Sequence, residues 1–332
     1  MNKFMRGCLL TALTMFIVGC AICLVCWMFG GFRQIDTLRG MANIPFFHYE
    51  GNGLHWSLGF GDDGEFGMDW EKERYLRIKD GETAHYQASS FRELDVELGA
   101  CTLYLQESED DQIYINVKGN RLKHYYLVDG STLRIRNAGK TKLVGIGDIS
   151  DQVYLKIPKD FVFDEADVTI GAGTLEGGAL RAGDLSMEVG AGTCSLDEIS
   201  GNEVSLDVGA GSVQTKMLDA AQLKLNVGAG EFKLKGVSVM RDLDLELGMG
   251  NAEIDGTVTG NMNVDCGMGN VTMRLTGSED DHAYEVDCGM GSVEIGGRSY
   301  GGLATEQKWN SGQGSVYEIE CNMGNVKLFF EE

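Results

Sequence analysis

The sequence predicts an all-β protein, a β-solenoid of about 19-residue rungs with G-x-G corners, preceded by one N-terminal transmembrane helix. Three observations support this fold class. A G-x-G motif recurs at nearly constant spacing through the second half of the chain. Apolar and polar residues alternate on both sides of the motif, with the period of two that is typical of β-strands. One long apolar run without a charged residue occupies positions 7–31.

The apolar run "GCLLTALTMFIVGCAICLVCWMFGG" at 7–31 is long enough to be a membrane anchor. About 20 helical residues suffice to cross the hydrocarbon core of a bilayer. Lys3 and Arg6 precede the run and favour a cytoplasmic tail at 1–6, although two arginines on the other side weaken that preference. No A-x-A-like cleavage site precedes a polar start, so we predict an anchor that is not removed.

Lipidation is the alternative for this segment. The stretch "IVGC" at 17–20 resembles a bacterial lipobox, which would make Cys20 a lipidated N-terminus after cleavage. However, the apolar run continues well past Cys20, where a lipoprotein usually becomes polar. An uncleaved helix at 7–31 is therefore favoured.

The repeat begins with a marker glycine, the first glycine of each G-x-G motif. The markers are Gly171, Gly190, Gly209, Gly228, Gly248, Gly267 and Gly289. Two variants extend the series, "LDVELGACTLYL" at 94–105 and "YEIECNMGNVKLFF" at 317–330. A short fixed period of this kind indicates stacked structural repeats.

Within a repeat, inward-facing positions lie on both sides of the corner. Leu185, Met187 and Val189 alternate before one corner, and Cys194 and Leu196 alternate after it. A third inward position recurs as Leu180, Ile199, Leu218 and Val237. Each repeat thus has two strands and a short third side, and it must stack on its neighbours, about 4.8 Å apart, to enclose a core.

Breaks in the periodicity set the predicted boundaries. A juxtamembrane spacer is expected at 32–90 and the solenoid at 91–332. The solenoid is divided into an irregular β cap at 106–166, regular rungs at 167–296, an insertion at 297–316 that forms a protruding loop or hairpin, and a terminal rung at 317–330.

The repeat resembles a known family. "VYLKIPKDFVFDEADVTIGAGTLEGG" followed by "LSMEVGAGTCSLDE" is similar to the bacterial adhesin-like family called domain of unknown function 4097. The resemblance covers roughly residues 90–332. It implies a β-solenoid that is entered through a strand ending in proline, which Ile157–Pro158 matches, and an N-terminal membrane segment is common in this family. The late G-M-G corners and the insertion depart from its plain pattern.

The glycine-rich corners do not predict a phosphate-binding loop. Such a loop needs a following helix, whose N-terminus binds the anion, whereas each corner here precedes another strand. "GFGDDG" at 59–64 matches G-x-G-x-x-G, but it lacks a βαβ context and its aspartates would repel phosphate. The corners are therefore predicted to be structural.

The charge balance excludes one class of partner. Lys plus Arg total 28 against 50 Asp plus Glu, for a net charge of −22. A domain this acidic repels nucleic acid, so we predict no nucleic-acid partner.

One outward column reads Glu188, Asp207, Asn226, Glu246, Asp265, Asp287 and Glu320. A solvated face is the favoured interpretation, and calcium ions between its carboxylates are the alternative.

Two residue types vary within the corners. Cys266, Cys288 and Cys321 take the inward slot that valines hold earlier. We interpret them as free core thiols, with a Cys266–Cys288 disulfide in neighbouring rungs or a metal site as alternatives.

The residue between the two glycines changes from alanine to Met249, Met268, Met290 and Met323. We interpret this change as packing in a widening corner, with an exposed partner-binding stripe as the alternative.

The sequence offers little for catalysis. Its five histidines, at 48, 55, 85, 124 and 282, lie outside the G-x-G corners and in no nucleophile motif. Its acidic residues repeat with the rungs rather than forming one defined pair. We therefore predict no catalytic residue, no cofactor and no enzyme.

The function expected from these observations is a non-enzymatic binding or scaffolding surface at the bacterial cell envelope. The protein would be single-pass in the cell membrane, with its N-terminus cytoplasmic and its solenoid outside. The partner would be an envelope component, a peptide, a glycan or a membrane protein. A sensor of envelope stress that relays binding through the anchor is the alternative, and a polysaccharide-active enzyme is the third possibility.

Overall fold

The computed structural model describes residues 47–50, 53–56, 74–99, 101–138, 151–301 and 305–331. The strands are β1 (Phe47–Glu50), β2 (Gly53–Trp56), β3 (Leu76–Ile78), β4 (Thr83–Gln87), β5 (Glu93–Leu98), β6 (Thr102–Ser108), β7 (Gln112–Lys118), β8 (Lys123–Asp129), β9 (Thr132–Ala138), β10 (Gln152–Pro158), β11 (Phe163–Ile170), β12 (Thr174–Val189), β13 (Thr193–Val208), β14 (Ser212–Val227), β15 (Glu231–Leu247), β16 (Asn251–Val258), β17 (Asn261–Cys266), β18 (Asn270–Thr276), β19 (His282–Cys288), β20 (Ser292–Ile295), β21 (Arg298–Gly301), β22 (Thr305–Cys321) and β23 (Asn325–Glu331). Short 3-10 turns occur at Ala88–Ser90 and Glu279–Asp281. The all-β prediction is confirmed.

The chain divides into two units, 1–58 and 59–332. In the first unit, β1 and β2 pair as an antiparallel hairpin. The predicted tail, transmembrane helix and Cys20 lie outside the described residues. No helix within the described ranges combines the length and hydrophobicity needed to span a bilayer.

The G-x-G corners link strand to strand, as predicted. The backbone N–H groups of Gly190 and Ala191 donate to the carbonyl oxygens of Ile170 and Gly171 in the preceding rung, at 2.9 and 2.7 Å. A Cβ atom on Gly192 would overlap the carbonyl oxygen of Gly173, so only glycine fits where the two corners approach. No helix follows the corner, because β13 begins at once with Thr193.

The third inward position of each repeat is buried, as predicted. Strands β12 to β15 are 16 or 17 residues long, and each runs from one corner, along the short third side, to the next corner. On the third side, Leu180 pairs with Ile199 and Ile199 pairs with Leu218 in parallel register. These side chains are buried, as the recurrence predicts. Alternate residues of the other two sides complete one continuous core.

One interval in the repeat is a residue longer than its neighbours, and the structure shows where the extra residue lies. Ala220 pairs with Val239, but the next pair is Gln222 with Asp242, so β15 carries a β-bulge at this point. The bulge leaves Met240 60% exposed. The insertion is therefore absorbed on the third side, and the corners stay in register.

At the N-terminal end, the order of rungs in space differs from their order in the chain. β5 lies between β9 and β11, parallel to both. β6 likewise lies between β10 and β12. In chain order, β5 and β6 therefore form the second layer, β9 and β10 form the end layer, and β11 and the start of β12 form the third layer.

The C-terminal end has the reverse arrangement. β22 lies between β17 and β19, and β23 lies between β18 and β20. The terminal rung is thus an interior layer. As a result Cys321 separates Cys266 from Cys288, and the expectation that those two cysteines occupy neighbouring rungs is wrong.

Antiparallel strands cover both ends of the stack. β3 pairs with β8, and β4 pairs with β7, so residues 74–90 form part of the solenoid's first cap rather than of the predicted spacer. At the other end β21 folds back on β20. The start of β22 runs along β19 in antiparallel register, with Trp309 opposite Tyr284.

The insertion that was expected to protrude therefore lies partly on the stack. Its Tyr300 and Trp309 rings stack at 4.6 Å, and Trp309 stacks on Tyr284 at 4.8 Å. This cover satisfies an edge strand that would otherwise be open to pairing with another chain.

Candidate functional site

The late corners form a line of exposed methionines, here called the methionine stripe. In spatial order, Met249, Met268, Met323 and Met290 are 61%, 54%, 52% and 69% exposed. The packing interpretation is therefore wrong for these residues. It fails because the residue between two corner glycines points away from the core, whatever its size. Sequence spacing could not show that the four corners are consecutive, since Met323 joins the line only through the interleaved terminal rung.

An asparagine ladder runs along one side of the methionine stripe. It consists of Asn251, Asn270, Asn325 and Ser292, the residues that directly follow the late corners. Asn270 Nδ2 donates to Asn251 Oδ1 at 3.0 Å, and Asn325 Nδ2 donates to Asn270 Oδ1 at 3.0 Å. Ser292 Oγ completes the ladder with Asn325 Oδ1 at 2.7 Å. Sequence reasoning missed this ladder, although the recurrence of "MGN" could have revealed it.

The carboxylate column runs along the other side. Its order in space is Glu188, Asp207, Asn226, Glu246, Asp265, Glu320 and Asp287, so the last two are exchanged relative to the chain. Asn226 interrupts the carboxylates, and its Nδ2 donates to Asp207 Oδ1. Burial raises the pKa of Glu188 to about 7, with further contributions from the negative charges of Asp207 and Glu97. Burial also raises the pKa of Asp265.

The calcium interpretation of this column stays a prediction. Among the described residues, no three side chains of the Asp, Glu, His and Cys types are grouped so that they could hold a metal ion. The column nevertheless places carboxylates on successive rungs, with only Asn226 between Asp207 and Glu246.

A shallow groove of about 360 Å³ lies further from the corners on the same side of the solenoid, and we call it the acidic groove. Two adjacent outward columns form it across five rungs. One column is Glu165, Asp184, Glu203, Gln222 and Asp242, and the other is Asp167, Ser186, Ser205, Lys224 and Asp244. Lys224 is the one basic residue that lines the groove. Six of these ten outward positions are carboxylates, so the groove is acidic overall.

The cysteines of the described residues are free and buried. They are Cys101, Cys194, Cys266, Cys288 and Cys321. Burial raises the pKa of the Cys194 and Cys321 thiols to about 12. These groups stay protonated near neutral pH, so they are poor nucleophiles.

A buried polar cluster in the N-terminal cap was not anticipated from the sequence. His124 Nε2 lies 3.3 Å from Asp151 Oδ2, and both side chains are almost fully buried. Asp151 also accepts hydrogen bonds from the backbone N–H groups of Arg121 and Leu122. Burial lowers the pKa of His124 despite the neighbouring carboxylate. The pair organises the cap rather than a surface where a substrate could react.

Comparison with known proteins identifies a family that matches this chain. A family model described as Toastrack DUF4097 matches residues 91–328. No curated protein matches the chain.

Several solved structures are similar. A candidate adhesin from Parabacteroides merdae has 14% identity and a TM-score of 0.41, with coverage of 75% of this chain and 96% of that chain. A candidate adhesin from Parabacteroides distasonis has 15% identity and a TM-score of 0.40, with coverage of 75% and 98%. A candidate lipid-binding protein from Parabacteroides distasonis has 12% identity and a TM-score of 0.36, with coverage of 74% and 96%. Likeness at this level says nothing about a ligand. The family model spans most of the solenoid, from the interleaved first rung to the terminal rung, and the chain belongs to the Toastrack DUF4097 family.

Proposed function

We propose that this protein is a membrane-anchored, adhesin-like binding module of the bacterial cell envelope that performs no chemistry itself. The observation that carries the proposal is the acidic groove, a concave surface on a parallel sheet where six of ten outward positions carry carboxylates. A stack of rungs with paired edges holds such an array in place without a bound partner.

The groove suits an extended cationic partner. Five rungs at about 4.8 Å span roughly 19 Å, which matches about six residues of an extended peptide. Glu165, Asp184 and Glu203 line one side of it, and Lys224 supplies one opposing charge. We therefore propose a lysine- or arginine-rich segment of another envelope protein as the partner.

The described residues give no support to a catalytic alternative. The histidine–carboxylate pair formed by His124 and Asp151 is buried, with 2% and 0% of the side chains exposed. A general base must reach the proton that it removes from a substrate, which this pair does not.

Binding is tested with the full-length protein in detergent and a fluorescent octalysine peptide. The variant Asp167→Asn, Asp184→Asn, Asp244→Asn should bind the peptide at least tenfold more weakly, because it removes charge from the groove. The matched control Glu176→Gln, Asp219→Asn, Glu318→Gln removes as many carboxylates from exposed positions that do not line the groove. Equal weakening by the two variants would show a general charge effect and contradict a groove site.

Location is tested in cells with a C-terminal tag and an added protease. The proposed topology has the N-terminus cytoplasmic and residues 32–332 outside. Intact cells should therefore lose the tag, while a cytoplasmic marker stays whole. Protection of the tag until lysis would place the solenoid inside and refute an envelope function, whatever the peptide assay shows.

A further inference from the structure

The methionine stripe is a surface that the proposed function does not use. Its four corners are consecutive layers of the stack, because each corner N–H bonds to the corner before it. Met268 N donates to Gly248 O at 2.7 Å, and Met323 N donates to Gly267 O at 2.8 Å. Met290 N donates to Asn322 O at 2.7 Å. The methionine backbones are therefore about one strand spacing, roughly 4.8 Å, apart.

Corner folding does not require these side chains. The earlier corners carry Ala172, Ala191, Ala210 and Ala229 at the same position. Those corners make the same backbone bonds, for example from Ala229 N to Gly209 O at 2.8 Å. Alanine thus satisfies the backbone, and the exposed methionines contribute little to the core. A row of large apolar side chains in solvent indicates a binding role.

We propose that the methionine stripe binds a soft monovalent metal ion, Cu(I) or its analogue Ag(I). Thioethers are soft ligands that select Cu(I), whereas Ca²⁺ and Mg²⁺ prefer oxygen. Methionine has three rotatable bonds, so the sulfur atoms of adjacent rungs can move together around one ion. Two overlapping sets of three neighbours exist, and both contain Met268 and Met323.

The surroundings fit a cation held by neutral ligands. Thioethers carry no charge, so a bound Cu(I) ion needs its balance of charge from nearby groups. The carboxylate column passes beside the stripe and places Glu246, Asp265 and Glu320 two residues before the respective corner glycine or asparagine. Their negative potential attracts a cation to the corner.

The asparagine ladder fixes the spacing on the other side. Its hydrogen bonds join Asn251, Asn270 and Asn325 directly after the corners. A site whose ligands project from a fixed backbone loses less freedom on binding than a site on a mobile loop. The flexible part is then limited to the methionine side chains.

The experiment titrates the full-length protein with Cu(I) under anaerobic conditions against a colorimetric Cu(I) chelator. Cys8, Cys20, Cys23 and Cys26 are replaced by alanine in every sample, because any thiol that reached Cu(I) would compete with the stripe. The background protein should retain Cu(I) that the variant Met249→Leu, Met268→Leu, Met290→Leu, Met323→Leu does not. Leucine keeps the size and apolar character of methionine, and these side chains lie outside the core. The thermal unfolding temperature of the variant should therefore equal that of the background protein.

Single variants and a second probe test the geometry. Met268→Leu or Met323→Leu should weaken Cu(I) binding at least tenfold, and Met249→Leu should weaken it less. The control Met217→Leu, Met240→Leu changes two methionines that are 53% and 60% exposed outside the stripe, and it should have no effect. With ¹³C-methyl methionine, Ag(I) should shift the stripe resonances and leave the other methionine signals in place. Equal Cu(I) retention by the background and quadruple variants, or Ag(I) shifts spread over all methionines, would overturn the proposal and leave the stripe as a contact for an apolar partner.

Discussion

At the residue scale, each corner contains one position that packing restricts to glycine and one position that is free to vary. The second corner glycine lies against the preceding rung, where a Cβ on Gly211 would overlap the carbonyl oxygen of Gly192. The residue between the two glycines points outward and meets no such limit. That position can therefore change from Ala229 to Met249 in successive rungs without any change in the corner's backbone hydrogen bonds. Close packing requires the second corner glycine, whereas the residue between the two glycines can vary without loss of the fold.

The carboxyl of Glu188 shows how the same geometry affects ionisation. Its pKa is raised from 4.5 to about 7, first by burial and then by Asp207 and Glu97. The folded state therefore holds a proton that the unfolded state releases between about pH 4.5 and pH 7. Stability falls as the pH rises through this window, since the unfolded state then binds fewer protons than the folded state.

We expect Glu188→Gln to stabilise the protein above pH 7 by about 2 kcal/mol and to have little effect near pH 4. Urea unfolding at pH 4, 6 and 8 measures the difference. Glu246→Gln is the matched control, because Glu246 occupies the same column but is exposed. A Glu188→Gln gain that is the same at all three pH values would contradict a raised pKa.

At the element scale, interleaving places the last strand of the chain inside the stack. β23 is the last strand, yet it pairs in parallel with β18 on one side and with β20 on the other. Terminal segments commonly fray, but β23 is paired on both sides along residues 325–328 and has no free edge there. The first rung has the same protection, since β5 lies between β9 and β11.

We predict that Leu328→Ala destabilises the protein as much as Leu225→Ala does, by about 3 kcal/mol. The two leucines are 1% and 0% exposed, although Leu328 is four residues from the end of the chain and Leu225 is in a central rung. Urea unfolding of the two variants gives the comparison. A loss below about 1 kcal/mol for Leu328→Ala alone would show that the terminal rung is frayed and not interleaved.

At the scale of the whole molecule, acidity is distributed by the repeat. The net charge of −22 would disfavour a compact state if it were concentrated. Stacking instead spreads carboxylates over separate outward columns, and basic residues relieve some of them. Arg136 contacts Asp95 at 2.7 Å and Glu97 at 2.8 Å, and Arg274 contacts Glu253 at 2.8 Å. The acidic groove and the methionine stripe are two surfaces of this single stack.

The sequence by itself determined the period, the strands, the structural corners and the inward positions. These properties are local, because alternation assigns each side chain to one face and glycine marks each bend. The interval from Gly228 to Gly248 is one residue longer than its neighbours, but only the structure places that residue in a bulge on the third side.

The tertiary structure alone decided the order of the rungs. Every rung offers its neighbours nearly the same parallel hydrogen bonds and apolar side chains, so the sequence of one rung does not specify which rung lies beside it. In the chain, the residues at 109–162 and 297–316 stand between rungs that are adjacent in space. Therefore the position of Cys321 between Cys266 and Cys288, and the continuity of the methionine stripe, emerge only when the terminal rung takes its place between two others.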